Sequence, residues 1–130
     1  MIHLAPFEDA SEQKEYCDLA EVLFEDGSVG FKIFSDEEKL ALCQIKFVGE
    51  AAYVLNLQSI QDRISVQMLA NVFASIIEFL KRVEIDSAVY PIQNENDIIL
   101  AESNGFEKIS DTLFVLDFNA ESIQKSNMGS

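Results

Sequence analysis

The stretch from Tyr53 to Phe106, YVLNLQSIQDRISVQMLANVFASIIEFLKRVEIDSAVYPIQNENDIILAESNGF, decides how the chain is read. Tyr53 to Ser59 closes a strand that begins at Ala51, and Gln61 to Ser65 is a tight polar connection. Leu69, Val72, Phe73, Ile76, Ile77 and Leu80 then recur with a helical period, predicting a long helix over about Val66 to Glu84. Lys81 and Arg82 fall near its negative C-terminal end. Asp86 to Ile92 reads as a short strand. Pro91 near its end places it at an edge or makes it diverge from a neighbour, because proline cannot donate to a ladder. Asp97 to Asn104 reads as a short helix with Gly105 just past its end.

Upstream, Met1 to Phe7 is a first edge strand. Asp9-Ala10-Ser11-Glu12 is a capping box. The helix it opens carries Tyr16, Leu19, Ala20, Leu23 and Phe24 on one face, with Gly27 as a stop. Short strands follow over Gly30 to Phe34, Lys39 to Val48 and Ala51 to Ser59, joined by turns at Ser35 to Glu38 and Gly49-Glu50, as in an antiparallel meander. Ala41, Cys43, Ile45 and Phe47 share one face of the middle strand. Downstream, Glu107 to Ser110 and Thr112 to Phe118 are strands. Residues 1–118 are expected to form one domain and 119–130 a polar, disordered tail, with Met128-Gly129-Ser130 as a vector remnant.

The 130 residues suffice for one buried core, and an apolar fraction of 48% with ten Phe and no Trp is an ordinary globular balance. No run of about 18 apolar residues is present, so no membrane span is expected. The N-terminus lacks the basic-then-apolar order of a signal peptide. Cys17 and Cys43 are too few for a disulfide framework or a zinc site, which predicts a reduced cytoplasm, core thiols and no metal. The net charge of −14 is the strongest compositional fact. Its nine basic residues form no stripe, which argues against nucleic acid and anionic lipid. Amines and basic protein surfaces would be attracted, or the charge only keeps the chain soluble.

The order β-α-β-β-β-α-β-α-β-β over nearly the whole chain resembles the GNAT superfamily of N-acetyltransferases, and three motifs set the register. Family members commonly read Tyr-Ile-Glu-Asn-Ile on the fourth strand where this chain has Tyr53-Val54-Leu55-Asn56-Leu57. Val72-Phe73 falls on the paired leucines of the long helix. The family's Asn, followed eleven residues later by Gly-Phe, matches Asn94 and Gly105-Phe106. The resemblance implies an α+β fold of α/β/α type: a mixed, mostly antiparallel sheet with helices on both faces and a splay between the fourth and fifth strands.

It also implies where chemistry would sit. The family's Arg/Gln-x-x-Gly-x-Gly loop cradles the CoA pyrophosphate, since glycines let backbone approach and a helix N-terminus offers free N–H groups. Here the segment is Ile64-Ser65-Val66-Gln67-Met68-Leu69, without glycine, and Asp62 beside Arg63 repels phosphate. It reads either as a residual anion site at the N–H groups of Gln67, Met68 and Leu69 or as a plain helix start capped by Ser65. The family's glutamate base falls on Leu55 and its tyrosine acid on Ala101, so no catalytic residue is assigned. Cofactor contacts would come from Gln58, Ser59, Gln67, Met68, Leu69 and Asn94, with acetyl-CoA as the implied cofactor. Asn56, Gln58, Ser59, Tyr90, Gln93 and Asn94 would line the cleft between the splayed strands.

Three functions follow as expectations. The first is an acetyltransferase-like protein with degenerate cofactor and catalytic positions, binding a small ligand or a protein. The second is an active acetyl-CoA-dependent N-acetyltransferase acting on a cationic amine or basic peptide. The third is an interaction module, with a homodimer formed through an exposed sheet edge.

Overall fold

A computed structural model of the chain describes residues 1–119; the tail expected from Asn119 onward therefore lies, from residue 120, outside the described residues. Its elements are β1 (His3–Pro6), α1 (Ala10–Ala20), β2 (Val29–Ser35), β3 (Glu38–Val48), β4 (Ala51–Ser59), α2 (Val66–Arg82), β5 (Ser87–Pro91), α3 (Glu95–Glu102), β6 (Glu107–Ser110) and β7 (Leu113–Asp117). This is the order read from the sequence. The seven strands form one sheet in the order β1-β2-β3-β4-β5-β7-β6, and every pair is antiparallel except β4 with β5. Parallel neighbours need a crossover, and α2 supplies it.

Both faces of the sheet are covered. Ala41, Cys43 and Ile45 of β3 are fully buried against the cluster built on α2 and α3, with Phe73, Ile76 and Leu80 of α2 equally enclosed. Leu42 points the other way, packing with Tyr16, Cys17 and Ala20 of α1 and with Ile60. A strand covered on two sides is buried continuously rather than in alternation, as Leu40 to Ile45 are. Phe73 lies 5.6 Å from Tyr90 edge-on and stacks on Phe106 at 5.8 Å, which joins α2, β5 and the turn after α3. Gly105 takes φ +84 in that turn, a conformation that favours glycine, and Phe106 drops back into the core.

Three local expectations need correction. The first helix does not reach Leu23, Phe24 and Gly27. It stops at Ala20, where Glu21 adopts a left-handed conformation and its N–H donates to the carbonyls of Asp18 and Cys17. The cause lies on β3: Gln44 is wholly buried, so its amide must find partners. Its Nε2 donates to the Leu23 carbonyl at 2.9 Å, and its Oε1 accepts from the Glu25 N–H and from Gln13 Nε2. That pins the loop after α1 in non-helical form and leaves Leu23 80% exposed. Phe47 does not share the burial of Ala41, Cys43 and Ile45, because Lys46 to Val48 form an exposed hairpin end. Finally, α3 starts at Glu95 rather than Asp97. Asn94 caps it, its Oδ1 accepting from the Asp97 N–H while the Asp97 carboxylate accepts from the Asn94 N–H.

Candidate functional site

The site begins where two strands part. Pairing of β4 with β5 runs Ala51↔Ser87, Ala52↔Ala88 and Tyr53↔Val89 and then ends. On its other side β4 carries a bulge. Gln44 faces Asn56 while the next residue of β3, Ile45, faces Val54, so Leu55 is the extra residue. A bulge bends and twists its strand, and it changes which residues turn inward: Val54 and Leu57, three apart, are both buried. β5 has its own reason to leave. Ile92 donates to the Thr112 carbonyl on the β7 side, so the position of Pro91 that lacks an N–H faces β4. The expected splay between the fourth and fifth strands is present, and β5 is an interior strand that diverges.

Across this fork, Tyr90 is almost completely enclosed and its hydroxyl donates to Asp97 Oδ1 at 3.0 Å. The other oxygen of Asp97 accepts from the N–H groups of Gln93 and Asn94 at 2.9 and 3.2 Å. The carboxylate thus ties the end of β5 to the first turn of α3. Burial first, and then the Asp97 charge, push the Tyr90 phenol far above its ordinary range. It serves as a fixed donor to Asp97. Asn56 sits on the opposite wall, where its Oδ1 is buried without a hydrogen-bond partner.

The start of α2 forms the outer end of the site. Ser65 Oγ accepts from the Met68 N–H at 3.2 Å, and the Ser65 carbonyl accepts from the Leu69 N–H at 2.9 Å. Of the three N–H groups assigned to an anion from sequence, those of Met68 and Leu69 are engaged by the cap. The Gln67 N–H lies outside both bonds. Ahead of the cap, Gln61 and Asp62 both take left-handed φ values of 50 and 57, an uncommon conformation for two adjacent non-glycine residues. Arg63 turns away from the helix end. Its guanidinium donates to the Lys39 carbonyl and to Gln61 Oε1 and approaches Glu38 at 4.0 Å.

Three hollows meet at the end of β4. The fork itself is narrow, about 30 Å³, between Asn56 and Gln58 on one wall and Tyr90, Gln93 and Asn94 on the other. A space of about 240 Å³ opens between the ends of β4, α2 and α3, with Gln58, Ser59, Asp62, Ser65, Leu69 and Asn94 in its lining. A third, of about 350 Å³, lies toward the end of α1 and holds Asp18, Glu21, Gln58, Ser59 and Asp62. No lysine or arginine lines any of the three. Gln58, Ser59, Leu69 and Asn94 are brought together here. Gln67 and Met68 are exposed on the first turn of α2 and line none of these hollows. A larger hollow of about 500 Å³ lies apart, between α2 and the β6–β7 hairpin.

Sequence reasoning missed Asp97, the residue that organises the fork. The available signal was the Asn94-x-x-Asp97 spacing, a capping-box pattern hidden by starting the helix at Asp97. Leu55 is the extra residue of the β4 bulge, and Ala101 is fully buried in α3. Among the described residues, no group of three or more His, Cys, Asp or Glu could hold a metal ion, and no helix is long and apolar enough to cross a membrane.

No family model matches the sequence, and no curated protein matches it. Solved structures do. The ribosomal-protein-S18-alanine N-acetyltransferase from Escherichia coli superposes with a TM-score of 0.71 at 14% identity, over 90% of this chain and 94% of that one. A Bacillus subtilis acetyltransferase solved in complex with CoA gives 0.73 at 11% identity, over 91% and 99%. The spermidine/spermine N-acetyltransferase SpeG from Vibrio cholerae gives 0.74 at 7% identity, over 97% and 99%. At such identities the likeness is one of backbone path: the chain has the fold of the GNAT N-acetyltransferases.

Proposed function

We propose that this GNAT-fold protein is acetyltransferase-like in architecture, uses the β4–β5 fork and its outer hollow to bind a small ligand or a protein segment, and transfers acetyl groups weakly or not at all. The observation that carries this reading is the start of α2. A CoA pyrophosphate needs free N–H groups, close backbone approach and no opposing charge. Here Ser65 engages the Met68 N–H, side chains stand where the family has glycine, Asp62 faces the space and Arg63 is tied elsewhere. The residues present do not fit that group. The groups that would handle protons point the same way, because Leu55 carries no base and Tyr90 is committed to Asp97. A chain with core thiols and a surface this acidic suits the cytosol, with basic rather than nucleic-acid partners.

One observation favours a second reading, an active N-acetyltransferase for a cationic amine or basic peptide. The bulge at Leu55 leaves the β4 edge without a partner strand beyond Tyr53, and Asp18, Glu21 and Asp62 gather beside it. The Vibrio cholerae neighbour is named for polyamine acceptors, and such acceptors would suit those carboxylates. Calorimetric titration of acetyl-CoA and CoA at low salt separates the two. We expect no heat of binding at millimolar cofactor. Micromolar binding would overturn the first reading and lead directly to an amine screen.

A further inference from the structure

The long helix carries a second apolar stripe beside the one it buries. Leu69, Phe73, Ile76, Ile77 and Leu80 face the core, while Met68, Val72, Ser75 and Phe79 recur at steps of four, three and four on the flank turned toward β2. Phe79 fixes that direction, its ring standing edge-on to Phe31 of β2 at 5.4 Å. The stripe is open: Met68 and Phe79 are 44 and 40% exposed, and Val83, just past the helix end, is 38% exposed. Val29 and Phe47 widen it. Val29 pairs with Ile45 and lies two residues before Phe31, so it and Phe47 stand on the sheet face that α2 covers, at its exposed end. Charge is missing as well. A quarter of the chain is charged, yet α2 has no charged residue from Val66 to Ile77, its exposed positions included. Contiguous exposed apolar surface marks an interaction site, and steps of four and three are the seam of packed helices.

We infer that this protein forms a two-fold dimer through the Met68–Val83 flank of α2. The occupant is a second copy because the stripe is complementary to itself. In an antiparallel pair of α2 helices with the two-fold axis beside Ser75, Val72 meets Phe79, Met68 meets Val83, and the small serines let the backbones approach at the axis. Arg82 of each copy then comes to the end of the other helix that Asp62 precedes, so charges of opposite sign meet at both ends. A chain of net charge −14 repels its own kind over most of its surface, and a stripe without carboxylates is where contact costs least. The dimer does not depend on what the fork binds, and it leaves the sheet edges free.

The test is sedimentation equilibrium of the full chain from about 1 to 100 µM, where a concentration-dependent dimer is expected. Ser75→Glu, at an exposed position, sets two carboxylates face to face at the axis and should weaken the dimer at least about ten-fold. Mixing that variant with Ser75→Lys should restore it. Ser75→Cys should give a disulfide-linked dimer on oxidation with copper phenanthroline, since Cys17 and Cys43 are buried. A chain that stays monomeric at the highest concentration overturns the inference. So does a dimer that survives Ser75→Glu, or one that Ser75→Cys does not link, because its contact then lies on another face, such as the β6 edge. Circular dichroism checks the fold of each variant. If Ser75→Glu does not fold, the wild-type mass and the Ser75→Cys linkage decide.

Discussion

Tyr90 and Asp97 are joined by a 3.0 Å hydrogen bond that crosses from the end of β5 to the first turn of α3. Both side chains are buried, and the same carboxylate holds the Gln93 and Asn94 N–H groups. One carboxylate therefore ties the end of β5 to the start of α3. Asp97→Ala should lose about 2–3 kcal/mol, because it strands a phenol and two N–H groups at once. Tyr90→Phe should lose about 1 kcal/mol, since two donors to Asp97 remain. Urea unfolding checks the order: the midpoint should fall further for Asp97→Ala, with the slope unchanged.

Gly30 is required by space. A Cβ there would overlap the Phe7 ring and lie 2.9 Å from Gln13 Cδ. Neither neighbour can easily give way, as Phe7 packs edge-on against Tyr16 and Gln13 is bonded to Gln44. Gly30→Ala should cost about 1–3 kcal/mol by overpacking. Thermal unfolding of the variant at unchanged stability would show that the β1–α1 corner is looser than described.

Ser65 is a cap and should behave as one. Ser65→Ala removes the acceptor of the Met68 N–H and should lose about 1 kcal/mol, while Ser65→Gly should lose only a few tenths. Denaturant midpoints of the two variants test this. Equal losses would mean that the hydroxyl acts through some contact other than Met68.

Both thiols should be inert in the folded chain. Burial raises Cys17 to about 11, helped by the Asp18 and Glu25 charges, and burial alone raises Cys43 further. At pH 8 little thiolate forms and neither sulfur is reachable. Ellman's reagent should label the native protein at least about 100-fold more slowly than the urea-unfolded chain, with both thiols reacting after unfolding. Rapid labelling of one thiol in native buffer would contradict the packing of α1 on β3.

Alkaline stability has a definite sign. Tyr16 is pushed up to about 12 from 10.0, mainly by burial and then by Glu12 and Glu15, and Cys17 to about 11 from 9.0. In both cases the folded state keeps a proton that the unfolded chain releases earlier. Their stabilisation is therefore complete below about 9 and is lost as pH rises through 11 and 12. Stability measured between pH 9 and 12 should fall, and Tyr16→Phe should flatten the upper part of that fall. A slope unchanged by the variant would remove Tyr16 from the account.

Much of this architecture could be read from local patterns. Asp9 and Ser65 act as the caps expected of them, each accepting an N–H two or three residues into its helix. The α2 stripe is buried where its period placed it, and Gly105 turns the chain toward Phe106. The misreadings share a cause. Gln44 looked like any polar strand residue, yet burial from both sides gave its amide control of the loop that ends α1. Asp97 looked like a helix start, yet its carboxylate faces backward to Tyr90.

The sequence by itself determined the order of elements and the helix caps, because these depend on residue type and short spacing. Only the tertiary structure decided that Leu55 is a bulge, that Tyr90 is already spent on Asp97, that Ser65 caps the start of α2 and that the Asn56 Oδ1 is buried without a hydrogen-bond partner. Those facts depend on register between distant strands and on which polar atoms lose water together. Neither quantity exists until the sheet has closed around α2.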